Sequence, residues 1–364
     1  MTAMRHVWRN PWVQGAVLLL LAMLAVVVFW WRGPDWSSVF DAFRFVIWSW
    51  IVLAFLLNAV STLFRAYSWR MTIGQALPPE HQPRLSDVFS AFGVGLLANA
   101  VVPGRLGELL RVATLRRHLP DAPAGTSATL VGTVFAHRLF DLVPATILVV
   151  WVLLTAEVPH WAVVAFGIAA LVGFALFTIA WLGARRHHRT VMDEGVGSIR
   201  GLLVMARQGL SVLNAPIPLA GAILLQCCGW LMQLLAVYAT MQAFGIDAPL
   251  PAAGLVLVLM NVATIVPLWP GNIGLVQAAV ALPLRSYGVP YATGFAFGLA
   301  LQAIEMAVGV GLGLIALARE GISFAVFRRM QPEEQSAEDA LEGVHEMVDE
   351  LEHEAARESA AVPR

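Results

Sequence analysis

No lysine occurs in the 364 residues; all 23 Lys or Arg positions are arginine. Charged residues are scarce as well, 13% of the chain against about 25% in an ordinary soluble domain, while 59% are hydrophobic. That balance argues against a soluble fold of this length. The two cysteines, Cys227 and Cys228, are adjacent within an apolar run. A vicinal disulfide would be strained and no other partner exists, so disulfide frameworks and thiolate zinc sites are excluded. The chain also lacks an HExxH motif, a DxxD array and any Ser or Cys clearly set beside a His. With no nucleophile, base or metal cluster in view, the expectation is a protein that is not an enzyme and that uses no cofactor or metal.

The net charge of −1 conceals a division. Residues 1–330 carry 21 Arg against 13 acids, whereas the last 34 residues carry 11 acids and two Arg, Arg357 and Arg364. A basic membrane-embedded body with an acidic tail follows, and nucleic acid is not expected as a partner.

A helix that crosses a bilayer needs about 20 mostly apolar residues. Six stretches read as full spans: 12–31, 45–64, 125–153, 161–183, 216–244 and 290–318. The first is too long for a signal peptide and ends in Trp30, Trp31 and Arg32 without a small-residue cleavage site, so it reads as a retained anchor. Trp12, Trp30, Trp31, Trp151, Trp161 and Trp181 stand at predicted helix ends, where indoles favour the headgroup layer.

Two further stretches, 86–110 and 251–287, are interrupted by Pro and Gly. If both dip in and return, 19 Arg lie on the cytoplasmic side and only Arg32, Arg44 and Arg285 outside, with Arg138 in the membrane. If both cross, 12 Arg lie outside and 10 inside. The positive-inside rule selects the re-entrant arrangement, with both termini cytoplasmic. The two breaks share the pattern Pro, Gly, any residue, branched aliphatic, Gly: Pro103, Gly104 and Gly107 in one, Pro270, Gly271 and Gly274 in the other, offset by 167. Proline removes an amide donor and glycine permits tight turns, so these six positions are candidate hinges. Backbone freed in this way must line protein or a watery cavity rather than lipid. The predicted fold is therefore an all-α polytopic membrane protein of about six spans plus two broken re-entrant hairpins in an inverted repeat, a design that places substrate near the midplane. Its parts are an anchor at 1–39, a first repeat at 40–183, a linker at 184–215, a second repeat at 216–320 and the tail at 331–364.

Charges inside membrane helices are expensive and mark function. Arg105, Glu108 and Arg111 recur every three residues beside the first break and share roughly one helix face. His137, Arg138 and Asp141 sit mid-span with spacings that let all three meet. Glu305 stands at the position matching Arg138 after the shift of 167. One of Arg105, Arg111 or Arg138 is expected to receive a lipid phosphate, since guanidinium offers paired donors. Glu108, Asp141 and Glu305 would hold the arginines or answer a cationic headgroup. His137, Asn272 and Gln277 complete the predicted substrate-binding set. His187 and His188, among Arg185, Arg186 and Arg189, read as a cytoplasmic topology cluster. The tail carries Leu341, Val344, Val348 and Leu351 at helical spacing, too short for a coiled coil; a short amphipathic helix and plain disorder both fit.

The stretches NAVVPGRLGELLR at 99–111, HRLFD at 137–141 and VPLWPGNIGLVQ at 266–277 resemble the flippase-like membrane domain of the lysylphosphatidylglycerol synthase superfamily, over about residues 40–320. The resemblance implies a bacterial or archaeal inner-membrane protein that flips lipids or serves lipid and polyprenol-linked glycan pathways. It also implies that Arg105, Glu108, Arg111, Arg138 and Asp141 occupy family positions. His137 departs from the family, which often places an acid there. Fused members carry a soluble aminoacyl transferase domain, for which the loops here have no room. Three readings follow: a lipid translocator, a non-transporting scaffold whose acidic tail docks a lipid or glycan synthase, and an intramembrane enzyme acting on a lipid phosphate. The lipid, the energy source and the pairing of protomers stay open at this level.

Overall fold

The computed structural model describes residues 34–101, 107–123, 125–158, scattered positions between 160 and 178, 209–264 and 272–320. The anchor at 12–31, most of 161–183 and of the linker, the cluster at 185–189 and the acidic tail lie outside the described residues, as do Pro103, Gly104, Arg105, Pro270 and Gly271. The described residues are helical, without a strand among them. The elements are α1 (Trp36–Arg44), α2 (Trp48–Ala76), α3 (Leu85–Val101), α4 (Gly107–Arg117), α5 (Thr126–Phe140), α6 (Leu142–Thr155), α7 (Pro216–Ala243), α8 (Leu250–Ala263), α9 (Leu275–Leu284) and α10 (Tyr291–Glu320). The chain divides into two compact units, and the second, from Leu317 on, is almost wholly outside the described residues.

Among the described residues, four helical runs are long and apolar enough to cross a bilayer: α2, the run from α5 through α6, α7 and α10. α2 is apolar over most of its length without one segregated apolar face, as fits a helix with both lipid and other helices around it. It extends to Ala76, twelve residues beyond the predicted end of its span. Arg65 and Arg70, counted above among cytoplasmic arginines, are therefore intrahelical; a hydropathy reading stops at the first charge, whereas the backbone ladder does not. The α5–α6 run breaks at Asp141, because Pro144 in the first turn of α6 has no amide to give the carbonyl of Phe140.

The shift of 167 found in the sequence carries α2 onto α7, α3 onto α8, α4 onto α9 and the α5–α6 run onto α10, each within a few residues. The equivalent helices α2 and α7 are antiparallel neighbours. Ile47 N–H donates to Ala243 O at 2.9 Å near one end, and Ser68 Oγ donates to Ala222 O at 2.9 Å toward the other. Equivalent helices that run in opposite directions are what an inverted repeat requires. The hairpins also exchange partners: α3 of the first half packs on α10 of the second at Gly93, and α8 packs on α6 of the first half at Gly254.

Both broken stretches fold back as helical hairpins. A Cβ at Gly95 would stand 2.8 Å from Gly107 O and 3.0 Å from Arg111 Cβ, so α3 and α4 meet at a point where no side chain fits. Asn99 Oδ1 accepts the free Gly107 N–H at 2.9 Å. In the second hairpin Asn272, held at a φ of 45°, donates from Nδ2 to Ala263 O at 2.9 Å, and Gln277 Oε1 accepts Gly274 N–H at 2.6 Å. An amide side chain thus satisfies backbone groups orphaned at each break. Apolar packing is concentrated in two clusters, one around Trp69, Ile73, Leu115 and Leu130 in the first half, the other around Met241, Leu255, Val280 and Phe297 with Val152 of α6.

Candidate functional site

The first turn of α4 carries Glu108, whose two carboxylate oxygens meet two arginines. Oε2 lies 2.8 Å from Arg111 Nη2, one helical turn on, and Oε1 accepts from Arg138 Nη2 on α5. Arg138 Nη1 then reaches Asp141 Oδ2 at 3.4 Å. Asp141 Oδ1 accepts from Trp230 Nε1 at 2.8 Å and from Gln226 Nε2, both on α7. A continuous alternation of charge, Arg111, Glu108, Arg138, Asp141, therefore joins the first hairpin to the break in the α5–α6 run and to α7 of the other half.

The two arginines differ. The Arg111 side chain is 4% exposed, and its guanidinium carbon lies 4.6 Å from the ring centre of Trp69 and 5.6 Å from that of Phe92. Aromatic faces and one carboxylate enclose it, which suits a structural cation. The Arg138 side chain is 50% exposed although both its flanking acids are largely covered. Part of this side chain is therefore accessible from outside the cluster. His137, expected beside Arg138 and Asp141, is 2% exposed and packs edge-on against Phe92 at 6.2 Å. Consecutive helical residues point about 100° apart, so His137 and Arg138 face different neighbours. Its Nδ1 has no hydrogen-bond partner among the described residues.

A second polar cluster holds Glu305, and its cation is one the sequence reading did not select. Glu305 Oε1 accepts from Gln233 Nε2 at 2.9 Å, and Gln233 Oε1 accepts from Arg65 Nη2 at 2.6 Å. The Arg65 guanidinium lies over the Trp230 ring, 5.5 Å from its centre. Trp230 thus bridges the clusters, its N–H on Asp141 and its face under Arg65. Gln277 donates to Gln302 Oε1 at 2.6 Å and, with Asn272, holds the second hairpin. Arg65, Arg111 and Arg138 balance Glu108, Asp141 and Glu305. Gln226, Trp230 and Gln233 were legible as one face of α7, being spaced by four and three residues. Arg65 was hidden by closing its span one residue too early.

The description Lysylphosphatidylglycerol synthase TM region fits residues 13–313. The chain belongs to that family. The match takes in both hairpins and all six charged residues of the two clusters, and it ends before the acidic tail. A UPF0104 membrane protein of Methanothermobacter thermautotrophicus is similar, 25% identical over 297 residues that cover 75% of this chain and 83% of that protein. No solved structure matches. Membership in the lysylphosphatidylglycerol synthase TM family accords with the helical membrane architecture and with a role connected to membrane lipids. Among the described residues, no group of three His, Cys, Asp or Glu side chains is placed to hold a metal ion.

Proposed function

We propose that the protein translocates a lipid, a phospholipid or a polyprenyl-linked lipid, across the bacterial inner membrane, with both chain termini in the cytoplasm. The observation that carries this reading is Arg138: a half-exposed side chain whose guanidinium is held between Glu108 and Asp141, beside a broken hairpin. A buried charge pair usually closes on itself. Here one cation stays half exposed, and guanidinium matches a phosphate geometrically. An anionic headgroup would displace part of the carboxylate contact, and Glu108 and Asp141 would restore it on release. The acyl chains would stay in lipid while the headgroup passes. The test uses vesicles of phosphatidylcholine containing a headgroup-labelled phosphatidylglycerol or polyprenyl phosphate and the purified full chain. Exposure of label to an impermeant quencher should rise with wild type and fall to the protein-free rate in Arg138→Gln. Unchanged exchange in Arg138→Gln with the protein folded would refute a headgroup role. Loss of function in cells solely on truncation at residue 331 would favour the scaffold whose tail docks a synthase.

A further inference from the structure

Between α6 and α7, with Leu250 of α8, lies an apolar groove of about 320 Å³. Its rims, Ile147 and Leu231, are exposed; its floor, Leu148, Trp230 and Leu234, is buried. Trp230 serves both this groove and the charged cluster, since the same indole donates to Asp141 Oδ1 at 2.8 Å. Groove and charge chain share one wall. The second half does not reproduce the arrangement: after the shift of 167, Leu63 stands in place of Trp230 and Val308 in place of Asp141.

We propose that this groove binds one hydrocarbon chain of the lipid whose polar end engages Arg138. The proposal rests on the translocation reading and deepens it by giving the chain a place. A hydrocarbon chain gains little by leaving other lipid tails, which are as apolar as Leu. Occupancy of the groove over bulk lipid must therefore come from close packing and from the tether: a headgroup held at Arg138 keeps its own chain at the groove mouth at high effective concentration. The volume lies within the range of small-molecule sites, about 300–1,000 Å³, and suits a segment of one chain rather than a whole lipid. Chain contact in the groove should then depend on headgroup contact at Arg138, which ordinary annular lipid would not.

The experiment places the purified full chain in phosphatidylcholine vesicles carrying trace probes with a diazirine in mid-chain: phosphatidylglycerol, polyprenyl phosphate or phosphatidylcholine. Adducts are mapped by mass spectrometry. At least one phosphate-terminated or anionic probe should label the peptides bearing Leu148, Leu231 and Leu234 several-fold above the phosphatidylcholine probe, and should fall to its level in Arg138→Gln. Leu231→Trp, a change at an exposed rim, should reduce that labelling with Arg138 intact. Equal labelling by all three probes, or labelling indifferent to both variants, overturns the groove assignment. If labelling is Arg138-dependent but no probe changes leaflet, the groove stands and translocation falls. If probes change leaflet while labelling ignores Arg138, translocation stands and the groove falls.

Discussion

Trp230 donates its indole N–H to Asp141 at 2.8 Å, and so a tryptophan of the second repeat fixes the carboxylate that faces Arg138 in the first. With Arg65 over the same ring, one side chain holds the two polar clusters in register. Trp230→Phe keeps the ring and deletes the donor. It should lower stability by about 1–3 kcal/mol, the range for leaving a buried acceptor short of a partner. Trp230→Ala should cost more, since it also empties the packing. Thermal unfolding in detergent ranks the two; an unchanged melting temperature in Trp230→Phe would show that the hydrogen bond contributes nothing.

Glu108 neutralises a buried arginine and a half-exposed one, which gives an order to three substitutions. Glu108→Gln strands Arg111 among Trp69 and Phe92 and should destabilise by about 3–5 kcal/mol, the range for breaking a buried ion pair. Arg138→Gln, at a side chain that solvent or ligand reaches, should cost clearly less stability while abolishing transport. Arg111→Gln should track Glu108→Gln in stability. Chemical unfolding of the three variants checks the order, and a large stability loss in Arg138→Gln would mark it as structural.

Arg65 and Glu305 are coupled through Gln233. Arg65→Gln leaves a carboxylate without its nearest cation, and Glu305→Gln the reverse. The double substitution should be less harmful than the sum of the singles, with a coupling on the order of 1 kcal/mol or more, because interacting sites are not additive. Additive losses in a double-mutant cycle would separate the two residues.

Close approach of α3 and α4 rests on Gly95, where a Cβ would meet Gly107 O at 2.8 Å. Gly95→Ala should therefore destabilise by about 1–3 kcal/mol through overpacking of the hairpin. Gly309→Ala is the control: its nearest neighbour, Leu96 Cβ, would be 3.7 Å away, an ordinary contact. Melting temperatures of the two should differ; a tolerated Gly95→Ala would mean that the hairpin is looser than described.

Orientation is open to cysteine labelling in a Cys227→Ala, Cys228→Ala background. An impermeant maleimide should reach Arg285→Cys from outside the cell and Arg84→Cys from the cytoplasmic side alone. Arg65→Cys, mid-helix in α2, should label from neither side unless the path opens. The reverse pattern for Arg285 and Arg84 inverts the topology.

By itself the sequence determined the membrane class, the helical architecture, the two interrupted hairpins, the repeat with its offset of 167 and most of the charged residues found in the two polar clusters. These are properties of composition and of order along the chain: apolar length makes spans, Pro and Gly break ladders, and a buried charge stands out in a hydrophobic run. Tertiary packing decided the partners. Glu305 is joined to Arg65 rather than to the arginines of the first hairpin, His137 is turned into an aromatic pocket, and Trp230 ties the halves together, because contacts between helices depend on which faces meet. A spacing rule reports neighbours within one helix; only the packing of α7 against both α2 and the α5–α6 junction brings Arg65, Trp230, Gln233 and Asp141 together, and with them the two polar clusters.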